Sequence, residues 1–203
     1  MENHKLISEK DWYVSFPLEC SLDRLKAWAH TEMSKNPGTK ITSGEHDNAY
    51  WWGTECPPEL KQRLEKICPL RPMGNYGYGP DHDWNTYIWE SPEGGHLNKH
   101  SDGEGRGTTF MVLLEGEFKI TTYDFKFPDQ ALDSYTYKPG EVFALKCGHR
   151  RYHDGETLTN YRLAIAVYND HPTDPFRDHW DGYRPWWGER TEVIHKTDRW
   201  SGA

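Results

Sequence analysis

The period of the apolar positions changes partway along this chain. In the first third, Leu22, Leu25, Trp28 and Ala29 recur at helical spacing up to about Ser34, and Ser21 stands where an N-cap would. A second helix is expected to start at the Pro57-Pro58 pair and to stop near Cys68, ahead of Pro69, with Leu60, Leu64 and Ile67 on its apolar face. From about Tyr76 the pattern shortens, and Gly and Pro punctuate runs of β-branched and aromatic residues. Strands are expected over 86–89, 108–114, 117–123, 134–137, 141–145 and 161–168, with a polar loop over 148–160. Short strands after two helices predict a mainly β sandwich or barrel with N-terminal helices. Beyond Asp170 the chain is polar and Pro-bearing, yet it carries Trp180, Trp186, Trp187 and Trp200, so this tail is expected to pack onto the barrel through its indoles.

Composition narrows the picture. A chain of 203 residues suits one domain: helical support over about 1–75, a β core over about 76–170 and the Trp-rich tail over 171–203. Only 35% of residues are hydrophobic, but 14% are aromatic, which supplies apolar area that a disordered chain would lack. A formal charge of −8 is repelled by phosphate backbones, so nucleic acid is not the expected partner; a small molecule or a peptide fits better. Cys20, Cys56, Cys68 and Cys147 form no CxxC pair and no dense disulfide framework. The first residues lack the apolar core of a signal peptide, and no run approaches the ~18 apolar residues of a membrane span. A soluble, cytoplasmic protein is expected, with no membrane association; the sequence specifies no oligomeric state.

Candidate chemistry begins at His100-Ser101-Asp102. Residues two apart in an extended segment point to the same face, so both side chains can reach one ion. Two histidines and one carboxylate on one face of an octahedron leave open positions suited to iron(II) and dioxygen. Alone, H-x-D is a common polar turn, and a second copy stands at His179-Trp180-Asp181. The first copy has companions. His153 lies downstream past several strands, and Arg162 opens the apolar run Leu163-Ala164-Ile165-Ala166-Val167. A buried arginine needs an anion, and its planar fork suits a carboxylate; a local Asp or Glu is the bland alternative. The second copy is followed only by His195, with no apolar strand after it.

His100-Ser101-Asp102, His153 and Arg162 together resemble the HxD…H…R pattern of 2-oxoglutarate-dependent oxygenases, and most closely the prolyl hydroxylase-like branch. Arg150-Arg151 ahead of His153, the Lys138-Pro139-Gly140-Glu141 turn, Glu93-Gly94-Gly95 and Gly103-Glu104-Gly105-Arg106 add to the likeness, which covers about 87–170. The resemblance implies a double-stranded β-helix, a jelly-roll of cupin-like form. It implies Fe(II) on His100, Asp102 and His153, 2-oxoglutarate chelating the iron, Arg162 on the distal carboxylate, and O2 as oxidant. Ascorbate is expected to support activity. The outcome would be hydroxylation of an unactivated C–H bond in a prolyl or other peptidyl residue, a free amino acid or a small metabolite, with succinate and CO2 released. Relatives often place a tyrosine in the strand after HxD to bond 2-oxoglutarate; that stretch here lacks one, so Thr109 or Thr121 is expected to substitute. Asp102 stands where related halogenases carry Gly or Ala, which favours hydroxylation.

Other features read more plainly. His149 is a weaker alternative to His153. Asp81-His82-Asp83-Trp84 looks like a metal box, but adjacent residues of an extended chain face opposite ways. Trp51-Trp52-Gly53 and Trp186-Trp187-Gly188 are expected in packing roles, although either could form a stacking platform. Tyr76, Tyr78, Tyr87 and Trp89 precede the metal strand and are the candidates for a substrate wall. Enzymes of the AlkB type resemble the chain in H-x-D…H but carry a further arginine that 163–170 does not supply. Two other classes compete: a non-catalytic β-sandwich binding carbohydrate or another small ligand, and a cupin-type metalloenzyme independent of 2-oxoglutarate.

Overall fold

The computed structural model describes residues 6–10, 12–41, 46–47, 49–70, 86–92, 95–100, 108–124, 127, 129–146 and 152–169. The N-terminal third contributes β1 (Ser8–Glu9), β2 (Tyr13–Pro17), α1 (Leu22–Lys35), β3 (Thr39–Ile41), β4 (His46–Asp47), β5 (Ala49–Thr54) and α2 (Pro58–Ile67). The remainder forms β6 (Thr86–Pro92), β7 (His96–His100), β8 (Thr108–Glu115), β9 (Phe118–Tyr123) and β10 (Ala131–Tyr137). β11 (Glu141–Lys146), β12 (Tyr152–Thr157) and β13 (Tyr161–Asn169) complete it. Among these residues eight strands form one antiparallel sheet, in the order β1-β2-β11-β8-β13-β6-β5-β3. Five form a second, in the order β10-β9-β12-β7-β4.

Both helices form where the apolar spacing places them. The Ser21 side chain accepts from the Arg24 backbone N–H at the start of α1, and Pro58 begins α2, where a missing N–H costs nothing. Leu25, Ala29, Leu60, Leu64 and Ile67 pack with Phe110, Val112, Leu114, Val142, Ala144, Leu163, Ile165 and Val167 on the outer face of the large sheet. A second cluster fills the space between the sheets, with Leu97, Phe118, Ile120 and Tyr137 meeting Tyr13, Leu113, Phe143, Leu145 and Ala164. The layers therefore run helices, large sheet, small sheet. Leu64 is fully buried in the first cluster, so Leu64→Ala is expected to lower unfolding stability by about 2–5 kcal/mol, as large-to-small core changes do. Denaturant unfolding of the variant checks this.

The Pro139-Gly140 step turns β10 into β11, with Gly140 at φ 97°, a value that the second central position of such a turn demands and glycine adopts freely. The expected strands over 86–89, 108–114, 117–123, 134–137, 141–145 and 161–168 all form; that over 117–123 starts one residue later, at Phe118, and the others run longer. Two readings need correction. The expected polar loop over 148–160 contains β12, and the N-terminal third is more than helical support, because β2 lies inside the large sheet, paired to β1 and β11. Both corrections have a physical cause. Pairing to neighbours on either side, rather than amphipathic alternation, makes these segments strands. Among the described residues no helix is long and apolar enough to cross a membrane. The Trp-rich tail lies outside the described residues.

Candidate functional site

His100 ends β7 and His153 lies near the start of β12, and the two are direct partners in the antiparallel ladder. Their ring centroids stand 4.4 Å apart at 56°. Convergence depends on a bulge. From His153 to Gly155 the chain advances two residues, while its partner strand runs three, from His100 to Leu97. Residues three apart in a regular strand face opposite ways; the extra residue lets both Leu97 and His100 point between the sheets. His100 Nδ1 lies 2.7 Å from the Asn98 carbonyl oxygen. A carbonyl only accepts, so Nδ1 carries the proton and the neutral ring keeps its lone pair on Nε2, the arrangement that metal-binding histidines use. His153 is buried.

Asp102 lies outside the described residues, as do Tyr76, Tyr78, His149, Arg150, Arg151 and 81–84. Among the described residues no three His, Cys, Asp or Glu side chains converge; of the candidate metal ligands they include the histidine pair.

Arg162 is only 4% exposed, and β13 carries it between the sheets. Its guanidinium carbon sits 3.9 Å from the centroid of the Phe118 ring, and the Tyr137 hydroxyl lies close enough to interact with its charge. Burial pulls its pKa down, which Tyr137 partly offsets. Its Nε has no hydrogen-bond partner. Arg63 shows what a structural buried arginine looks like in the same protein. Equally buried at 4%, it donates to the Pro17 and Leu18 carbonyls and pairs with Glu19. Among the described residues no carboxylate pairs with Arg162, so the bland alternative of a local Asp or Glu partner finds no support there. A buried cation lacking a counter-ion is costly unless an anion joins it.

Tyr137 was not legible as a site residue. Burial raises its pKa, with Arg162 acting the other way, so the hydroxyl stays protonated at neutral pH. It donates to the Met111 sulfur at 3.9 Å, a weak acceptor from which a carboxylate could take the proton's bond. Thr109 is placed elsewhere: it pairs with Tyr168, six residues along β13 from Arg162, about 20 Å at strand rise. Thr121 fills no such role either, because Phe118, Ile120 and Thr122 are the buried face of β9 and Thr121 belongs to the other. Antiparallel register brings Tyr137, on the adjacent strand, opposite Phe118, on which Arg162 rests.

The two parts of the site share one axis. Phe118 marks the level of Arg162, and Thr122, four residues on, pairs with His153. About 13 Å of strand rise therefore separates the guanidinium level from the histidine pair. Ala164, Ala166 and Gly155 project little into this space. Tyr87 and Trp89 pair with Ala166 and Ala164 and so face the same interior. Trp51 meets Tyr87 edge-on at 5.3 Å and Tyr168 meets it at 5.5 Å.

No family profile and no curated protein matches the sequence. Solved structures do match in fold. A prolyl hydroxylase from Trichoplax adhaerens, in complex with a hypoxia inducible factor oxygen degradation domain peptide fragment, superposes with TM-score 0.55 at 10% identity, over 79% of this chain and 84% of that one. OsALKBH1 gives 0.54 at 13% identity, over 82% and 100%. A Pseudomonas putida prolyl-4-hydroxylase gives 0.51 at 12% identity, over 83% and 94%. At such identities the likeness is one of fold: the chain has the double-stranded β-helix of 2-oxoglutarate/Fe(II) oxygenases.

Proposed function

We propose that this protein is an Fe(II)- and 2-oxoglutarate-dependent oxygenase that hydroxylates a C–H bond of a small molecule or peptide. One observation carries the reading: a buried guanidinium with no carboxylate partner among the described residues, braced by Phe118 and Tyr137, lies on the axis of a histidine pair about 13 Å away. A five-carbon diacid spans such a gap once the reach of the side chains at both ends is subtracted. The residues present fit both groups. His100 and His153 offer imidazole nitrogens to a divalent iron, and Asp102 is the third ligand in this reading. Arg162 and Tyr137 hold the distal carboxylate of 2-oxoglutarate.

When bound, the iron supplies dioxygen activation coupled to oxidative decarboxylation of 2-oxoglutarate. Overall, substrate C–H, O2 and 2-oxoglutarate become C–OH, succinate and CO2. The chain's own work is placement. The Asn98 carbonyl holds the His100 tautomer, the paired strands fix the separation of the histidines, and the apolar space around Phe143 and Leu113 keeps water from the diacid. Tyr87, Trp89, Trp51 and Tyr168 form the substrate wall, and ascorbate sustains turnover. Protein incubated with Fe(II), ascorbate and 2-oxoglutarate is expected to form succinate. No succinate, together with no 2-oxoglutarate-dependent change in the metal spectrum, would instead favour a non-catalytic binding module. Tyr137→Phe keeps the ring and removes one hydrogen bond to a charged group, so 2-oxoglutarate affinity is expected to fall about tenfold. Titration calorimetry of the variant reads this.

A further inference from the structure

Gly155 follows His153 by two residues on the same face of β12, and apolar filling would be expected at such a position. A Cβ built there would stand 2.4 Å from both Cε1 and Cζ of the Phe118 ring and 3.3 Å from the Lys119 carbonyl oxygen. The ring therefore occupies the space that a side chain at 155 would need. The same ring carries the Arg162 guanidinium at 3.9 Å and meets Tyr137 edge-on at 5.7 Å. Tyr137 in turn stacks on Phe143, at 5.0 Å and 12°. One phenyl ring thus touches both groups assigned to the distal carboxylate, and its position depends on an absent methyl group in the strand that bears His153.

We propose that Phe118 is a positioning residue for the co-substrate and that Gly155 sets its pose: the glycine lets the ring lie across β12 as a floor, on which the guanidinium rests with its donors turned to the diacid. This rests on the co-substrate reading above. The ring face attracts the cation by its quadrupole and shields it from water, so the buried charge keeps its fork oriented before an anion arrives. A side chain at 155 would displace the ring that carries the guanidinium, in a space where overpacking cannot be relieved cheaply.

The test is calorimetric and needs no turnover. Wild type, Gly155→Ala, Phe118→Leu and the double variant are titrated with Mn(II), and then with 2-oxoglutarate in the Mn(II)-loaded state. Gly155→Ala is expected to weaken 2-oxoglutarate at least tenfold while Mn(II) affinity stays within about twofold. Phe118→Leu removes the ring face and is expected to cost about fivefold. Leucine lacks the Cε1 and Cζ atoms that collide, so the double variant is expected to bind like Phe118→Leu alone, tighter than Gly155→Ala. Such non-additivity marks a contact between the two sites, which mere loss of packing at each would not produce. Unchanged 2-oxoglutarate affinity in Gly155→Ala, equal losses for metal and co-substrate, or additive losses in the double variant would each overturn the proposal. If Gly155→Ala does not fold, Phe118→Leu decides: wild-type affinity for 2-oxoglutarate overturns the role of the ring. Wild-type protein that takes up Mn(II) but no 2-oxoglutarate sinks the underlying function, and this inference with it.

Discussion

Arg162→Met is expected to weaken 2-oxoglutarate binding by about two to three orders of magnitude while leaving metal affinity nearly unchanged. Charge-assisted hydrogen bonds contribute about 1.5–3 kcal/mol each, and a guanidinium fork gives a carboxylate two of them. The sign for stability is opposite. Burial already disfavours the charged form of Arg162, and its Nε is unsatisfied, so a methionine, which keeps the apolar stem and ends about where Nε stands, removes a desolvation cost. The ligand-free variant is therefore expected to melt at or above the wild-type temperature. Saturating 2-oxoglutarate, which raises the melting temperature of the Mn(II)-loaded wild type by mass action, should no longer do so. Calorimetry and thermal denaturation read the two halves separately. Equal losses of metal and co-substrate affinity, or a large destabilisation of the ligand-free variant, would show that Arg162 is a structural cation like Arg63.

His153→Ala is expected to abolish succinate formation and to weaken Fe(II) or Mn(II) binding by more than about 100-fold, because removing a ligand costs more than the 10- to 100-fold typical of its supporting partners. His96, exposed on the same strand as His100, supplies the control: His96→Ala should leave both measurements unchanged. Metal affinity within a few-fold of wild type in His153→Ala would remove the histidine pair from the mechanism, whatever the fold. The two variants also separate the ends of the site. Arg162→Met disables the diacid anchor with the metal end intact, and His153→Ala does the reverse.

Legibility differed between strands for a physical reason. β8, β9, β11 and β13 bury aliphatic and aromatic residues, so their apolar pattern shows. β12 turns His153 and Gly155 to the interior and Asp154 and Glu156 outward, and so reads as loop. Its one small interior residue makes room for Phe118, and its one large one belongs to the site. β7 is obscured further by its bulge, which puts Leu97 and His100 on one face at a spacing no regular strand allows. The two strands that carry the histidine pair are thus ones that hydrophobic alternation marks poorly.

The residues alone determined the helices, the strands with apolar faces and the mainly β class, and singled out His100, Asp102, His153 and Arg162 as candidates, because spacing, turn residues and the isolated charge ahead of an apolar strand are local facts. Tertiary structure alone decided that His100 and His153 face each other, that Arg162 lacks a carboxylate among its described neighbours, and that the hydroxyl beside Arg162 is that of Tyr137, with Thr109 and Thr121 placed elsewhere. These follow from register. Which residues stand opposite one another depends on how distant strands align, and one extra residue in a bulge reverses the face of every side chain beyond it.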